Sequence, residues 1–215
     1  MNWVFGMWGS RVICLMVLLF PLNTYAKCPP NANQYIPLIK RELSRYWKDL
    51  CPKELIPAQI EKESGWKVRA ERKVGREYGF GLSQITIVKG RFNNFLEAKR
   101  RWKKELKDWT WNNRFEPKFH IRFMILYDKA LYSKMTFAED NFQRLAFTLS
   151  AYNGGIGWLL ADRRLAKEKG YNPNVWFCNV EMVSKRSKSS FRINRYYVRS
   201  ILLNKIFKYR DCFIK

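Results

Sequence analysis

Histidine is almost absent from this chain, which has one, His120, among its 215 residues. A metal site built from several imidazoles is therefore excluded, and Ser-His-Asp or Cys-His catalysis would depend on His120 alone. Because His120 lies between Phe119 and Ile121 in a predicted helix, we interpret it as a structural histidine. The sequence also lacks a Gly-x-x-x-x-Gly-Lys nucleotide loop. We expect neither a metal nor another cofactor.

Acidic residues are also few, with 18 Asp and Glu against 41 Lys and Arg, which gives a formal net charge of +23. Such a chain attracts anionic polymers, and the attraction weakens with added salt. Cell-wall peptides, acidic wall polymers, anionic lipid headgroups and nucleic acid all fit the charge. No nucleic-acid recognition motif is present. Export of the protein would also separate it from most nucleic acid, so we expect no nucleic-acid partner.

The N-terminus carries an eleven-residue apolar run, Val12 to Leu22, which is too short to span a bilayer. Arg11 precedes the run and Thr24-Tyr25-Ala26 follows it, as in a signal peptide. An anchor over residues 3 to 22 is the alternative, but it would place Arg11 within the membrane. We therefore predict cleavage after Ala26 and a single secreted or periplasmic domain over residues 27–215. Its charge would be +22, from 40 basic and 18 acidic residues.

Cysteine is scarce, and Cys14 would leave with the signal peptide. The even number that remains in an exported protein favours two disulfides. Closely spaced cysteine pairs, which a zinc site would need, are missing. Three pairings are possible, and we expect Cys28 with Cys51 and Cys178 with Cys212, because each pair then ties a terminal segment to itself without crossing the core.

Apolar residues recur at intervals of three and four over most of the chain, which predicts a mainly α-helical protein. Residues 67–90 lose this periodicity and collect glycines, so we predict a loop-rich stretch with short strands around Phe80 to Val88. Thr136 and Glu139 form a predicted capping box. The predicted helices are Tyr35 to Leu50, Ile56 to Ser64, Pro117 to Leu131, Thr136 to Gly154, Gly157 to Lys169, Val175 to Val183 and Phe191 to Tyr209.

Carboxylate chemistry remains once the other groups are excluded, and Glu63 is the candidate because of its surroundings. It lies between Ile60 and Trp66, near the end of a predicted helix. Apolar neighbours and the negative end of a helix dipole both favour the protonated carboxyl group, as a general acid requires. Glu61 points about 200 degrees away around the helix and is expected to face solvent. From these residues alone, an ordinary surface position for Glu63 remains the alternative.

Three short sequence blocks occur in a fixed order along the chain. They are Glu63-Ser64-Gly65-Trp66, then Gly-Phe-Gly-Leu-Ser-Gln-Ile at 79–85, then Ala-Tyr-Asn-Gly-Gly at 151–155. This ordered set resembles the motifs of lytic transglycosylases. Each block is weak alone, but the three within about 90 residues are specific. The resemblance covers residues 33 to 200 approximately, and it implies a lysozyme-like helical domain that acts on peptidoglycan glycan strands.

In that family the glutamate of the first block protonates the oxygen between N-acetylmuramic acid and N-acetylglucosamine. The ionised carboxylate then removes the proton of the muramic 6-hydroxyl, and a 1,6-anhydro ring closes without water. The resemblance implies both roles for Glu63, with no second carboxylate nucleophile. We expect a monomer that binds glycan strands and, through its charge, other anionic wall polymers. The alternatives are a hydrolytic muramidase on the same fold and a catalytically silent basic wall-binding protein.

The resemblance also implies substrate-binding residues. Gln84 is expected to reach N-acetyl or hydroxyl groups from a loop whose glycines let the backbone approach the sugar. Tyr152 is expected near Glu63, steadying the carboxyl group and the substrate, and Asn153 is expected to bond the backbone that holds them. The full predicted set is Ser64, Gly81, Ser83, Gln84, Tyr152, Asn153 and Tyr197.

The chain departs from the family pattern in two places. The interval from Glu63 to Gln84 is a few residues longer than usual, so a loop insertion near Arg72 to Tyr78 is expected to reshape the cleft. The family also places a glutamate shortly before a Tyr-Val pair near the C-terminus. Here Tyr197-Val198 follows Arg-Ile-Asn-Arg at 192–195, so an acidic sugar ligand is missing at one end of the cleft.

A basic and aromatic run extends from Lys99 to Trp111, with six Lys or Arg residues and three tryptophans. It could bind wall polymer by charge and stack sugars on indole rings. The favoured interpretation is a solvated helix face whose tryptophans enter the core, because charge runs usually mark solvated surfaces.

Overall fold

A computed structural model describes residues 28–213 of the protein. The predicted signal peptide, residues 1–26, lies outside the described residues. Within the described range, no helix has the length and apolar character needed to cross a membrane. The fold is mainly α-helical and lysozyme-like with a small antiparallel sheet, which confirms the predicted fold class.

The described residues form α-helices, short β-strands and two 3-10 segments. The helices are α1 (Pro30–Asn33), α2 (Ile36–Tyr46), α3 (Leu55–Ser64), α4 (Asn94–Arg101), α5 (Pro117–Tyr132), α6 (Asn141–Gly154), α7 (Ile156–Glu168) and α8 (Lys188–Leu202). The strands are β1 (Glu71–Val74), β2 (Glu77–Phe80), β3 (Ile85–Val88) and β4 (Phe92–Asn93). Two 3-10 segments cover Val180–Met182 and Lys205–Cys212.

The helical core is organised around α6, which packs against α5, α7 and α8. Seven consecutive α6 residues, 145 to 151, are buried, as expected of a helix with neighbours on all sides. The helix begins where the Asp140 carboxylate accepts a hydrogen bond of 2.7 Å from the Gln143 amide. The predicted capping box at Thr136 and Glu139 is therefore wrong: the Glu139 carboxylate instead accepts a hydrogen bond from Asn172, and Asp140 supplies the cap.

The strands form one sheet in the order β1-β2-β3-β4, with every neighbouring pair antiparallel. Phe80 and Ile85 pair directly across β2 and β3 and are both buried. They belong to a second apolar cluster that includes Phe95 and the fully buried Trp109. The sheet is thereby held against the helical part, and its β1–β2 hairpin forms one side of a cleft.

Helix α3 carries the candidate glutamate, and its sequence explains its position. Residues 55 to 60 are all buried, so the first turns are fixed in the core. The helix ends at Gly65, whose φ of +57° gives the left-handed conformation that glycine adopts without strain. Glu63 therefore lies in the last turn, as the sequence predicted.

The two ends of the described chain meet beside α3. The Trp66 indole donates to the Tyr209 hydroxyl at 2.9 Å and stacks on Tyr35. This contact brings Cys28 next to Cys212, and the two form a disulfide with Cα atoms 5.1 Å apart. The predicted pairings of Cys28 with Cys51 and of Cys178 with Cys212 are therefore wrong, because they assumed that each terminal segment folds on itself. Cys51 and Cys178 are exposed free thiols.

The disulfide gives a first prediction. A bridge between residues 184 positions apart restricts the unfolded chain strongly, and bridges of this kind contribute up to about 4 kcal/mol. We expect the Cys28→Ser variant to lose several degrees of melting temperature, whereas Cys51→Ser should not. Alkylation without reduction, followed by peptide mass mapping, should label Cys51 and Cys178 alone. Label on Cys28 or Cys212 in exported protein would contradict this pairing.

Candidate active site

A cleft of about 310 Å³ opens where α3, the sheet, the end of α6 and the middle of α8 converge. It brings together Glu63 and four of the residues that the sequence analysis associated with it or with the substrate. Its lining residues are Lys62, Glu63, Arg72, Glu77, Gly79, Gln84, Thr86, Tyr152, Asn153, Ile193, Tyr196 and Tyr197.

Glu63 is half-buried at this cleft, and the Tyr197 hydroxyl donates a hydrogen bond of 2.6 Å to its Oε1. Burial raises the pKa of Glu63 from 4.5 to about 7, while the Tyr197 hydrogen bond and the charges of Lys62 and Arg72 oppose the increase. A carboxyl group with this pKa holds its proton in a large fraction of molecules at neutral pH. The geometry therefore provides one immobilised acid that faces an open cleft.

Glu61, two residues earlier, has a different environment. It accepts hydrogen bonds from Lys205, Lys208 and Tyr209 of the C-terminal 3-10 segment. Burial acts to raise its pKa, but these hydrogen bonds and the Lys205 charge outweigh burial and hold the pKa below the usual value. The expectation that Glu61 faces solvent is wrong, because the C-terminal segment covers that face of α3. Glu61 fastens the end of the chain and does not reach the cleft.

A second buried carboxyl group lies behind Glu63. Asp128 of α5 is fully buried, and Gln59 Nε2 donates to its Oδ1 at 3.4 Å. Asp128 Oδ2 and Gln59 Oε1 have no hydrogen-bond partner among the described residues. Burial raises the pKa of Asp128 well above its usual value. A proton on Oδ2 would turn one of these two unpartnered acceptors into a donor, which suits the neutral acid beside the amide.

The loop after β2 has a tight packing requirement. Gly81 has a φ of +69°, and a Cβ placed there would lie 2.0 Å from His120 Nε2. The buried His120 ring bonds Ser83 Oγ at 2.8 Å and the Arg114 carbonyl at 2.7 Å. Burial lowers the pKa of His120 to about 4, so the ring is neutral at pH 7. The prediction of a structural histidine is confirmed, and Gly81 and Ser83 pack on it.

Gln84 and Tyr152 come from different elements but hold the same loop. The Tyr152 hydroxyl donates to the Ser83 carbonyl at 2.8 Å, and Gln84 Nε2 donates to the Gly81 carbonyl at 3.0 Å. Both side chains line the cleft. Tyr152 thus positions the loop, whereas the direct hydrogen bond to the Glu63 carboxyl group comes from Tyr197.

Other predicted residues have local roles in the described structure. Ser64 is buried and its hydroxyl donates to the Ile60 carbonyl at 3.1 Å, a bond within the last turn of the helix. Asn153 is exposed at the cleft, and its Oδ1 accepts from Asn194 at 3.1 Å. Asn194 is the residue that bonds the α6 backbone, at the Ser150 carbonyl. Sequence reasoning missed Asn194 because only the contact between α6 and α8 reveals it.

The two departures from the family pattern both fall on the cleft wall. Residues 72 to 78 form most of the β1–β2 hairpin, and Arg72 and Glu77 line the cleft, joined by an ion pair of 3.1 Å. Ile193, within the stretch that lacks the glutamate, also lines the cleft and is 56% exposed. The 192–195 stretch therefore contributes an apolar side chain to the cleft wall.

The basic and aromatic run does not contribute to this cleft. Trp109 is fully buried, while Trp102 packs against the same apolar cluster. Trp111 is partly exposed and lies against Phe80 and Arg114. Most basic residues of the run are exposed, as the solvated-face interpretation expects. Trp102 and Trp109 pack inwards as expected, whereas the expectation is wrong for Trp111, which is 46% exposed.

Comparisons with known proteins give distant similarity over part of the chain. It is 35% identical over 65 residues to a membrane-bound lytic murein transglycosylase F of Aeromonas hydrophila, covering 30% of this chain and 13% of that protein. Proteins of the same name from Vibrio campbellii and Vibrio parahaemolyticus are 25% and 24% identical over 122 residues, which cover 57% of this chain. The chain spans a fifth or less of the length of these curated relatives. No family model matches it.

The perturbed Glu63 gives a prediction for stability. A raised native pKa means that the folded protein loses stability as pH rises from 4.5 to about 7, the range in which the unfolded chain ionises first. Since one pKa unit corresponds to about 1.4 kcal/mol, the Glu63→Gln variant should be more stable than the native protein by roughly 3 kcal/mol above pH 7. Below pH 4.5 the two should be equal. Urea unfolding at pH 4 and pH 8 measures this difference, and a difference independent of pH would refute it.

The buried Asp128–Gln59 pair gives a second stability prediction. In Asp128→Asn the amide nitrogen replaces the acid hydroxyl as donor to Gln59, so the variant should fold and be at least as stable as the native protein at pH 7. Asp128→Ala leaves Gln59 unpaired beside a cavity and should cost about 2 to 4 kcal/mol. Because the native pKa is raised, native stability should fall with pH above 3.8, whereas Asp128→Asn should not share that fall. Equal damage from both variants would contradict a neutral Asp128.

Proposed function

We propose that this protein is a lytic transglycosylase that cleaves the β-1,4 bond between N-acetylmuramic acid and N-acetylglucosamine in peptidoglycan. The observation that carries the proposal is Glu63, a single acid with a pKa of about 7, held by Tyr197 at a solvent-accessible cleft. The three ordered motifs and the names of the distant relatives support the same reaction.

The reaction needs one group that is first an acid and then a base. Protonated Glu63 transfers its proton to the glycosidic oxygen as the bond to the muramic C1 breaks, and the N-acetylglucosamine end leaves as an alcohol. The ionised carboxylate then takes the proton of the muramic 6-hydroxyl while that oxygen bonds to C1. Glu63 ends in its initial protonated state, and no water is consumed. A pKa near the working pH serves both steps.

The neighbours of Glu63 suit this cycle. Tyr197 donates to Oε1, so Oε2 is the oxygen available for proton transfer. Lys62, whose ammonium lies 4.3 Å from the Tyr196 ring, contributes positive charge near the carboxylate formed in the first step. Gln84 and Tyr152 are positioned to contact sugar groups, and Gly81 and Ser83 fix the loop that carries Gln84.

We also propose that the protein works outside the cytoplasm, as a single domain over residues 27–215 released by cleavage of residues 1–26. Peptidoglycan lies there, and the composition of the first 26 residues supports export. The net charge of +22 expected for the exported form would draw it to anionic wall polymers.

A hydrolytic muramidase is the second candidate, and Glu77 is the observation that favours it. Glu77 is another carboxylate that lines the cleft, and a hydrolase with two carboxylates would use one of them to activate water or to attack the sugar. The ion pair with Arg72 keeps Glu77 near the cleft wall. The reaction products and the Glu77→Gln variant separate the two candidates.

Digestion of purified sacculi tests the proposal. Mass spectrometry should find products that end in 1,6-anhydromuramic acid, and Glu63→Gln should reduce turnover at least about a hundredfold because it removes the transferable proton. Glu77→Gln is the matched control on the same cleft: its products should keep anhydro ends, with turnover within about tenfold of the native protein.

Circular dichroism must show that both variants fold. Products heavier by one water, with reducing ends only, would reject the transglycosylase and favour the muramidase. Lysis that Glu63→Gln leaves unchanged would instead favour a catalytically silent, basic wall-binding protein. Glu61→Gln is unsuitable as a control, because Glu61 anchors the C-terminal segment.

A further inference from the structure

A second cavity of about 500 Å³ continues the cleft beyond Asn153 towards the start of α8. Arg72, Glu77, Asn153 and Ile193 line both cavities, so the two form one groove. We call the second cavity the basic compartment. Its remaining lining residues are Gly154, Trp158, Lys185, Arg186, Ser187 and Ser190.

Arg186 is built into this compartment. Its side chain is only 4% exposed, and its Nη2 pairs with Asp162 at 2.9 Å. Its buried Nε has no partner among the described residues. Gly154 makes room for the guanidinium group, since a Cβ at that position would lie 2.2 Å from Arg186 Nη1. Arg186 is therefore a fixed, buried cation with an unpartnered donor, and the missing side chain at Gly154 leaves space for it. A surface arginine would be mobile instead.

The local charges do not cancel. Asp162 is shared by Arg186 and Arg195, whose Nη2 lies 3.0 Å from the same oxygen, so one positive charge remains. Lys185 is exposed and forms no ion pair within the described part of the chain, which adds a second. Arg72 and Glu77 neutralise each other. The compartment therefore presents about two uncompensated positive charges.

Two further features define the ligand that would fit. Ser187 caps α8 by accepting from the Ser190 amide, so the positive end of a 15-residue helix adds to the field at the compartment. Trp158 is 47% exposed, and its ring lies 5.8 Å from the Arg186 guanidinium carbon. Anion donors beside an exposed aromatic face suit a carboxylate that is attached to aliphatic groups.

We propose that the basic compartment binds a carboxylate of the peptide substituents that peptidoglycan carries on its muramic acid residues. The inference rests on the proposed function, because it assumes that a glycan strand lies at Glu63. A peptide that branches from a sugar in the first cavity needs only to pass Asn153 to reach Lys185 and Arg186. The protein would then prefer strands that retain their peptides to strands from which the peptides were removed.

Binding to a protein that cannot turn over tests this directly. The Glu63→Gln variant of the exported form is titrated by calorimetry with a soluble glycan tetrasaccharide that carries its peptides, and with the same tetrasaccharide after amidase treatment. We expect binding of the peptide-bearing glycan to be about tenfold tighter, with the difference shrinking as salt is added. Adding Lys185→Gln should reduce the difference about threefold, and Lys185→Glu should remove it.

Lys167→Gln is the matched control, because it removes one exposed charge from the opposite end of α7 and should leave the difference unchanged. Equal affinity for both glycans, or a difference that Lys185→Glu does not alter, would overturn the inference and leave the proposed function intact. No binding of either glycan, together with no cleavage by the native protein, would overturn both.

Discussion

The hydrogen bond from Tyr197 to Glu63 joins the middle of α8 to the last turn of α3, and the cleft exists only while these two helices remain in contact. Without a hydrogen-bond partner, the Glu63 carboxyl group would turn towards solvent or leave a buried polar atom unsatisfied. Tyr197 satisfies one oxygen and leaves the other free. The surrounding packing therefore has to hold α8 against α3, and the C-terminal segment that follows α8 contributes by pairing with Glu61.

Three carboxyl groups near α3 differ in pKa because their surroundings differ. Glu61 has three donors and a lowered pKa, Glu63 has one donor and a pKa of about 7, and Asp128 has a single long hydrogen bond and a strongly raised pKa. A neutral Asp128 matters to Glu63, since an ionised group behind it would raise the pKa of Glu63 further and hinder its role as an acid. The pKa of Glu63 lies between the lowered pKa of Glu61 and the strongly raised pKa of Asp128. Of these three groups, Glu63 is therefore the one suited to both proton transfers.

Sequence patterns predicted the features that depend on residues close together in the sequence. The 3.6-residue periodicity located the main helices, and the position of Glu63 before a helix-ending glycine indicated its raised pKa. Contacts between residues that are far apart in the sequence could not be predicted from these patterns. Cys28 meets Cys212 because Trp66 and Tyr209 bring the chain ends together, and Asn194 reaches α6 from α8. Gln59 gave no signal either, because its partner Asp128 lies on another helix.

The scarcity of acids has consequences beyond net charge. Several of the acids that exist are consumed in internal ion pairs, such as Glu42 with Arg122, Asp162 with two arginines, and Glu181 with Arg199. These pairs hold helices together and leave few carboxylates to balance the surface lysines. A peptidoglycan strand with anionic peptides would be drawn to such a surface from any direction. The groove that ends at Arg186 and Lys185 combines this attraction with a cavity next to Glu63, so binding there, unlike the general attraction, would align the strand with the acid.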